Sequence, residues 1–312
     1  MLSRRILRVK VVKAVYAHLQ TECDNIPATE KNLIASIDKA YDLYFHMLSL
    51  LPELVRYAES RQEIARNKML ATYEDLNPNR KFVENKAIER LDCCEAIAVY
   101  CKKKGLKWSE NQDLIKNIYL SLQEQPFYKK YMESPTRSLR EDAEFAANIY
   151  LNILEQNELL ENVLEDQSIL WTDDLGYILT MAARTMTSMR ESHDQVKLLP
   201  KYKSDEDLDF AKKLLRESII NFADNRALID GHTNNWDVER LALMDIVILA
   251  VAISEAKNFA SIPVKVTMNE YIDVAKYYST PASSTFINGV LDKIVTRGLE
   301  EGWIFKTGKG LL

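Results

Sequence analysis

Residues 285–294 read TFINGVLDKI, and this stretch contains two conflicting signals. The pair Asn288-Gly289 is the strongest short signal for a β-hairpin. The residues around it do not alternate, however, but recur every four positions, which is α-helical spacing. The apolar side chains fall on two neighbouring stripes: Phe286, Val290 and Ile294, and Ile287, Leu291 and Val295. The spacing predicts a helix with Asn-Gly inside it, although Gly costs about 1 kcal/mol relative to Ala there.

A close approach between two helices would explain this glycine. Gly289 has no side chain, so the backbone of a second helix could pass beside it. The amide of Asn288 could then bond a backbone group that the crossing would otherwise leave unpaired. We therefore expect Gly289→Leu to overpack a crossing and to destabilise the protein by about 1–3 kcal/mol. The alternative, a tolerated turn near a helix end, remains open.

The composition of the whole chain also favours helices. The 312 residues include 47% hydrophobic and 28% charged residues, but only eight Gly and eight Pro. Few turn residues imply few strands, so an all-α fold is the leading class. No apolar run reaches the length of a membrane span. Lys10 and Lys13 interrupt what would be the apolar core of a signal peptide, and no small-residue cleavage site follows, so the N-terminal stretch does not fit one. Four cysteines without a CxxC pattern predict a cytoplasmic protein with free thiols.

Apolar periodicity predicts the main helices. A first helix runs from Ser3 to about Gln20, and a long amphipathic helix follows from Thr29 to about Tyr57. Residues 234–257 are the most hydrophobic stretch, which predicts a buried central helix capped by Asn234 or Asn235.

A second pattern predicts where the next helix begins. Thr267 and Glu270 stand three residues apart, as in a capping box. This spacing places the start of the helix at Met268 and its end near Tyr278. Ser283 or Ser284 then caps the last long helix, which contains the opening stretch and ends near Gly298.

The charge is unevenly distributed along the chain. The net charge is −5, yet residues 1–20 carry five cations and no acid, which leaves −10 for the rest. A basic patch on an acidic body could contact RNA without binding every polyanion. Arg4, Arg5 and Arg8 fall within about 100° of arc on the first helix. With no acid near them in the sequence, we expect them to be exposed and to contribute little to folding. The alternative, a merely solvated helix face, also remains open.

Three stretches together resemble one family. RRILRVKVVKAVYAHLQ (4–20), NWDVERLALMDIVILAVAISE (235–255) and IPVKVTMNEYIDVAKYY (262–278) followed by TFINGVLDKI are similar to the bacterial transcription antitermination factors of the NusB family. The resemblance covers roughly residues 1–20 and 205–297. The family is usually less than half as long, so this chain resembles an enlarged member with a helical insertion.

The resemblance implies an all-α, NusB-like helical bundle of two subdomains. It divides the chain into residues 1–24, the arginine-rich helix; residues 25–204, mostly insertion; and residues 205–312, the C-terminal subdomain. It also implies binding to boxA-like single-stranded RNA of ribosomal RNA operons. The implied protein partners are NusE, a small-subunit ribosomal protein, and the antitermination complex of RNA polymerase.

The family's RNA-binding residues match five positions of this sequence, and each assignment rests on the resemblance. The arginines Arg4, Arg5 and Arg8 match arginines of the family's RNA-binding helix. Phe286 matches an aromatic residue beside the RNA path, and Asn288 belongs to the family's Asn-Gly pair. On this basis the arginines would engage phosphates, and Phe286 would stack on a base.

Motifs for catalysis or cofactor binding are not found in the sequence. The four histidines lack metal-ligand spacing, and there is neither a P-loop nor a GxGxxG. We therefore predict no catalytic residues, no metal and no cofactor. Two alternatives to an RNA-binding factor remain open: a helical protein-interaction scaffold, and an accessory domain of an RNA-modifying enzyme, which would require a cofactor-binding parallel sheet.

Overall fold

The computed structural model describes residues 2–22, 24–233, 242–280 and 282–311. In these ranges the chain forms α-helices and no β-strand, and extended pairing is limited to one isolated bridge between Leu2 and Tyr202. The predicted all-α class is therefore confirmed. None of the described helices combines the length and hydrophobicity needed to cross a bilayer.

The described residues contain fifteen α-helices. In chain order they are α1 (Arg4–Gln20), α2 (Ile26–Arg66), α3 (Tyr73–Leu76), α4 (Lys86–Asp92), α5 (Glu95–Lys104), α6 (Gln112–Glu124), α7 (Pro126–Glu133), α8 (Leu139–Ile149), α9 (Glu158–Gln167), α10 (Leu175–Thr187), α11 (Glu206–Ile220), α12 (Phe222–His232), α13 (Leu243–Asn258), α14 (Val264–Tyr278) and α15 (Ser283–Glu300).

These helices belong to two compact units. The first unit combines the two ends of the chain, Met1–Ile37 and Lys201–Leu312, and the second is Asp38–Pro200. One boundary falls within α2. The boundaries at residues 24 and 204, given above from the sequence, separate the parts of the chain that resemble the family from the insertion. They remain a prediction.

Helix α13 is the centre of the first unit. All its residues from Asp245 to Ala256 are buried, and α1, α11, α12, α14 and α15 pack against it. Its apolar residues surround the whole helix rather than one face, which is typical of a helix enclosed by others. The predicted buried central helix is thus confirmed, while its predicted caps, Asn234 and Asn235, lie outside the described residues.

Helix α14 begins earlier than the sequence predicts. It starts at Val264, directly after Pro263, and not at Met268. Thr267 lies buried inside the helix, where its hydroxyl donates to Glu255 Oε1 at 2.8 Å. The predicted capping box is wrong because this buried carboxylate of α13 binds the threonine hydroxyl.

Helix α15 carries the opening stretch, and its predicted helical state is confirmed. The predicted crossing at Gly289 is wrong, because a Cβ added there would meet no atom of the described residues within 4 Å. The close approach occurs about two and a half turns later. A Cβ added at Gly298 would lie 2.7 Å from side-chain atoms of Ile304 and Trp303, which follow the helix.

The second unit is arranged around the buried part of α2. The predicted helix over residues 29–57 is confirmed, and α2 continues through Pro52 to Arg66. Its buried side chains and carbonyls bond to later helices of the unit. Tyr44 pairs with Thr185 Oγ1 at 2.7 Å, and Tyr150 donates to the Met47 carbonyl at 3.1 Å.

Candidate nucleic-acid interface

The three predicted arginines lie on the first turns of α1, and each is paired with carboxylates from distant parts of the chain. The partner acids come from α11, α13 and α14, more than two hundred residues away in sequence. Helix α1 packs against α11 and α13, and this packing brings the charges together. The arginines differ in exposure, so they differ in what they can do.

Arg4 lies at the edge of α11. Its Nε donates to Asp207 Oδ1 at 3.1 Å, and its Nη2 lies 3.6 Å from Glu206. Asp207 also accepts the backbone N–H groups of Lys203 and Ser204, at 3.1 and 2.9 Å. Arg4 therefore pairs with a carboxylate that also accepts two backbone hydrogen bonds just before α11. About a third of the Arg4 side chain remains exposed.

Arg5 is the most exposed of the three, with 54% of its side chain accessible. Its Nε and Nη2 donate to both oxygens of Glu270, at 3.0 and 2.9 Å, and Nη2 also reaches Asp273 at 3.1 Å. The hydrogen bonds that Arg5 donates to Glu270 raise the pKa of Arg5, which keeps the guanidinium charged. The result is a cation at the surface between α1 and α14.

Arg8 is buried, which makes the expectation that it is exposed wrong. Its Nε and Nη2 donate to Glu255 at 2.7 and 2.8 Å, and Glu255 also accepts Thr267 and Tyr271 at 2.8 and 3.0 Å. Burial lowers the pKa of Arg8, but the hydrogen bonds and charge of Glu255 outweigh it and raise the pKa overall. Removing one partner of a buried pair typically costs about 3–5 kcal/mol. In this structure Arg8 joins α1, α13 and α14.

The two predicted residues of α15 have opposite surroundings. Phe286 is only 6% exposed, so its ring packs within the unit, while Asn288 is exposed. Stacking of Phe286 on a base remains a prediction, and it requires the ring to be uncovered first.

Helix α14 adds basic and aromatic side chains that our sequence reasoning did not select. Lys276 donates to Asp273 Oδ1 at 2.8 Å, so this carboxylate is shared with Arg5. Lys13 Nζ lies 4.8 Å from the ring centroid of Tyr278, and the neighbouring Tyr277 is 84% exposed. The signal was present in the sequence as Lys-Tyr-Tyr at 276–278, a basic residue followed by aromatics.

An anion that binds this surface must compete with the carboxylates already paired with its arginines. Arg4 and Arg5 already have carboxylate partners, so a phosphate must replace or join them. Exposed ion pairs contribute only about 0–1 kcal/mol, so such an exchange costs little at Arg5. The buried pair of Arg8 offers no such exchange. Within the described part of the chain, no cluster of His, Cys, Asp and Glu side chains is arranged to hold a metal ion.

Comparison with known proteins places these helices in a family. The model of the NusB family matches residues 177–296, from α10 to α15. The chain is 40% identical over 104 residues to "Transcription antitermination protein NusB" of Salinibacter ruber, and 38% identical over 104 residues to the protein of that name from Chloroherpeton thalassium. Each match covers 33% of this chain.

The coverage of these relatives varies. The chain spans 65% of the Salinibacter protein and 49% of the Chloroherpeton protein. It also matches the NusB protein of Clostridium botulinum with 37% identity over 124 residues, which is 38% of this chain and 86% of that protein. No solved structure shows a significant match to the chain.

Proposed function

Because this chain belongs to the NusB family, as an enlarged member, we propose that it is a transcription antitermination factor that binds boxA-like single-stranded RNA. It acts on ribosomal RNA operons together with NusE, within the antitermination complex of RNA polymerase. The proposed role is binding and positioning, without catalysis.

One observation carries the proposal: a charged guanidinium lies exposed on the first turns of α1, beside further cations. Arg5 is more than half exposed, Arg4 is partly exposed, and Lys276 is exposed next to the shared Asp273. We infer that RNA phosphates replace Glu270 and Asp273 as partners of Arg5. Such contacts are electrostatic, so binding weakens as salt concentration rises.

The proposal is tested by the affinity for a boxA-like RNA oligonucleotide at several salt concentrations. Arg5→Ala is expected to reduce the slope of log K against log salt by about 0.7, the value for one contact with single-stranded nucleic acid. The matched control is Arg297→Ala, because Arg297 is similarly exposed and has a surface carboxylate partner, Glu301. Both variants are expected to fold like the wild type, since exposed pairs contribute little.

The outcome is decisive in both directions. A slope reduced by Arg5→Ala and unchanged by Arg297→Ala supports the proposal. Equal slopes in all three proteins would exclude Arg5 as a phosphate contact and refute the exchange proposed for it. Arg8 is left unchanged in this design, because its replacement breaks a buried ion pair and would confuse loss of binding with loss of folding. Repeating the titration with NusE present tests the protein partner, which is expected to raise the affinity.

A second candidate, the protein-interaction scaffold, is favoured by an apolar segment of the second unit. Between Ile64 and Leu76 five large apolar side chains are exposed: Ile64, Met69, Leu70, Tyr73 and Leu76. A contiguous exposed apolar patch of large size would mark an interaction site. A pure scaffold would show no RNA binding that depends on α1, so the same salt titration separates the two functions.

A further inference from the structure

We propose that Tyr277 is a base-stacking residue, and that Arg5, Lys276 and Tyr277 form one binding site for single-stranded RNA. The proposal rests on the proposed RNA-binding function, and it assigns the stacking aromatic to α14. The observation behind it is that an almost fully exposed ring lies one helical turn from Asp273, a carboxylate that the exposed Arg5 of α1 contacts.

The position of Tyr277 follows from its place on the helix. Glu270, Asp273 and Tyr277 are related as i, i+3 and i+7, so they lie on one stripe of α14. Arg5 binds the first two members of that stripe, at 2.9 and 3.1 Å. Tyr277 therefore projects from the same side of α14, one turn beyond the carboxylate that Arg5 contacts.

Side chains of α1 contact α14 at two places along its length. Arg5 contacts residues 270 and 273, and two turns later Lys13 lies over the ring of Tyr278. Cations of α1 thus lie near both the middle and the end of α14. Lys276 adds a further ammonium next to Tyr277 in the sequence, and its partner is the same Asp273.

The ring of Tyr277 has no role in the packing of the unit. It is 84% exposed, and among the described residues none makes a hydrogen bond or a ring contact with it. Phe286, by contrast, is covered by its own unit. A ring this exposed can accept a base with little rearrangement of the protein.

The combination of cations and an exposed ring fits one class of ligand. Proteins that bind single-stranded nucleic acids use basic side chains along the phosphate backbone and aromatic rings on which bases stack. A double-stranded helix hides its base faces, so a stacking ring favours an unpaired strand. Arg5 and Lys276 would hold phosphates, and Tyr277 would hold the base between them.

The test compares three variants with the wild type, using the same boxA-like RNA oligonucleotide. Tyr277→Ala is expected to weaken binding by about 5- to 150-fold, the usual effect of losing one stacked base. Tyr277→Phe keeps the ring and is expected to bind within about twofold of the wild type. The matched control is Tyr73→Ala, which removes another exposed tyrosine, in the second unit, and is expected to have no effect.

The salt dependence separates stacking from charge. Tyr277→Ala removes no charge, so its slope of log K against log salt should equal that of the wild type, whereas Arg5→Ala should lower it. Circular dichroism melting of each variant controls for folding.

Each other result has a clear meaning. If Tyr277→Ala binds RNA like Tyr73→Ala while Arg5→Ala lowers the slope, Tyr277 is not part of the site and the RNA-binding function stands. If Tyr277→Phe weakens binding as much as Tyr277→Ala, the hydroxyl and not the ring is used, and stacking is refuted. If the wild type binds no RNA, both proposals fail.

Discussion

Gly289 and Gly298 lie on the same helix and have opposite surroundings. Space around Gly289 is open, whereas a Cβ at Gly298 would meet Ile304 and Trp303 at 2.7 Å. The sequence shows that both glycines belong to an apolar helix, but it does not show what packs against each one. The residues that fill the space at Gly298 follow the helix after a turn, and their return onto it is a tertiary feature.

This difference predicts opposite effects of the same substitution. Gly289→Ala is expected to raise the free energy of unfolding by up to about 1 kcal/mol, because Ala favours the helix and meets no neighbour. Gly298→Ala is expected to lower it, because the side chains of Ile304 and Trp303 must move. Urea unfolding of both variants measures the effects. A lower midpoint for Gly289→Ala would show that position 289 is packed after all.

The candidate site was partly predictable at this scale. The basic first helix is visible in the sequence because its cations are neighbours along the chain. Their carboxylate partners are not, because Asp207, Glu255 and Glu270 lie at least 203 residues away. For the same reason the sequence could not distinguish buried Arg8 from exposed Arg5. Tyr277 was overlooked because periodicity marks residues that face the core, and it does not select exposed rings for function.

Elements were predicted better than their boundaries. The apolar spacing predicted α1, α2, α13 and α15, because each buries a regular stripe or its whole circumference. The start of α14 was missed because Thr267 fits a local motif, while its hydroxyl is used by a buried acid of another helix. A local signal fails where a distant charged group competes for the same side chain.

Helix α2 contains one buried group whose charge matters for the second unit. His46 is fully buried and stacks on Trp108, with ring centroids 3.8 Å apart. Among the described residues neither of its ring nitrogens has a hydrogen-bond partner of good geometry. Burial lowers the pKa of His46 to about 4, because the cationic form would lose its hydration, and the nearby Gln167 raises this pKa only in small part. The packing of α2 against Trp108 therefore requires a neutral ring.

We expect the second unit to lose stability as the pH falls from about 6.5 to about 4. In this window the unfolded chain binds a proton at His46, whose unfolded pKa is about 6.5, while the folded chain does not. The free energy of unfolding therefore rises with pH between these two values, by about 3 kcal/mol over the whole window.

The measurement is urea unfolding of the wild type and of His46→Phe at several pH values. Phe keeps an aromatic ring against Trp108 and does not titrate. Carboxylates titrate equally in both proteins, so the difference between the two isolates His46. An identical pH dependence in the two proteins would show that His46 is protonated in the folded state or is not buried.

At the scale of the whole molecule, the first unit is assembled from the two ends of the chain. The match to the NusB family model begins at residue 177, so α1 lies outside it. Yet α1 packs on α11 and α13 and brings Arg8 to Glu255. The sequence resemblance predicted that residues 1–20 and 205–297 belong together. It could not predict the arrangement of the intervening residues, for which it offered no aligned counterpart.

This assembly predicts that residues 201–312 do not fold cooperatively alone. Without α1, the buried carboxylate of Glu255 loses its guanidinium partner, which typically costs about 3–5 kcal/mol. The surfaces that cover Leu7, Val11 and Val15, all fully buried, would also face water. Burying such a side chain is worth about 1.5–3 kcal/mol. Together these losses approach or exceed the 5–15 kcal/mol that usually holds a domain together.

A peptide of residues 1–37 is therefore expected to restore folding to the 201–312 fragment at a one-to-one ratio, measured as a gain in helical circular dichroism and a cooperative melt. Two matched peptides identify the cause. A peptide with Arg5→Ala should complement like the unchanged one, because Arg5 is exposed. A peptide with Arg8→Met should complement poorly, because it covers the apolar surface but leaves Glu255 unpaired. If residues 201–312 alone melted cooperatively with the helicity of the complex, α1 would not be required for the folding of this unit, and the ion pair of Arg8 with Glu255 would contribute little to it.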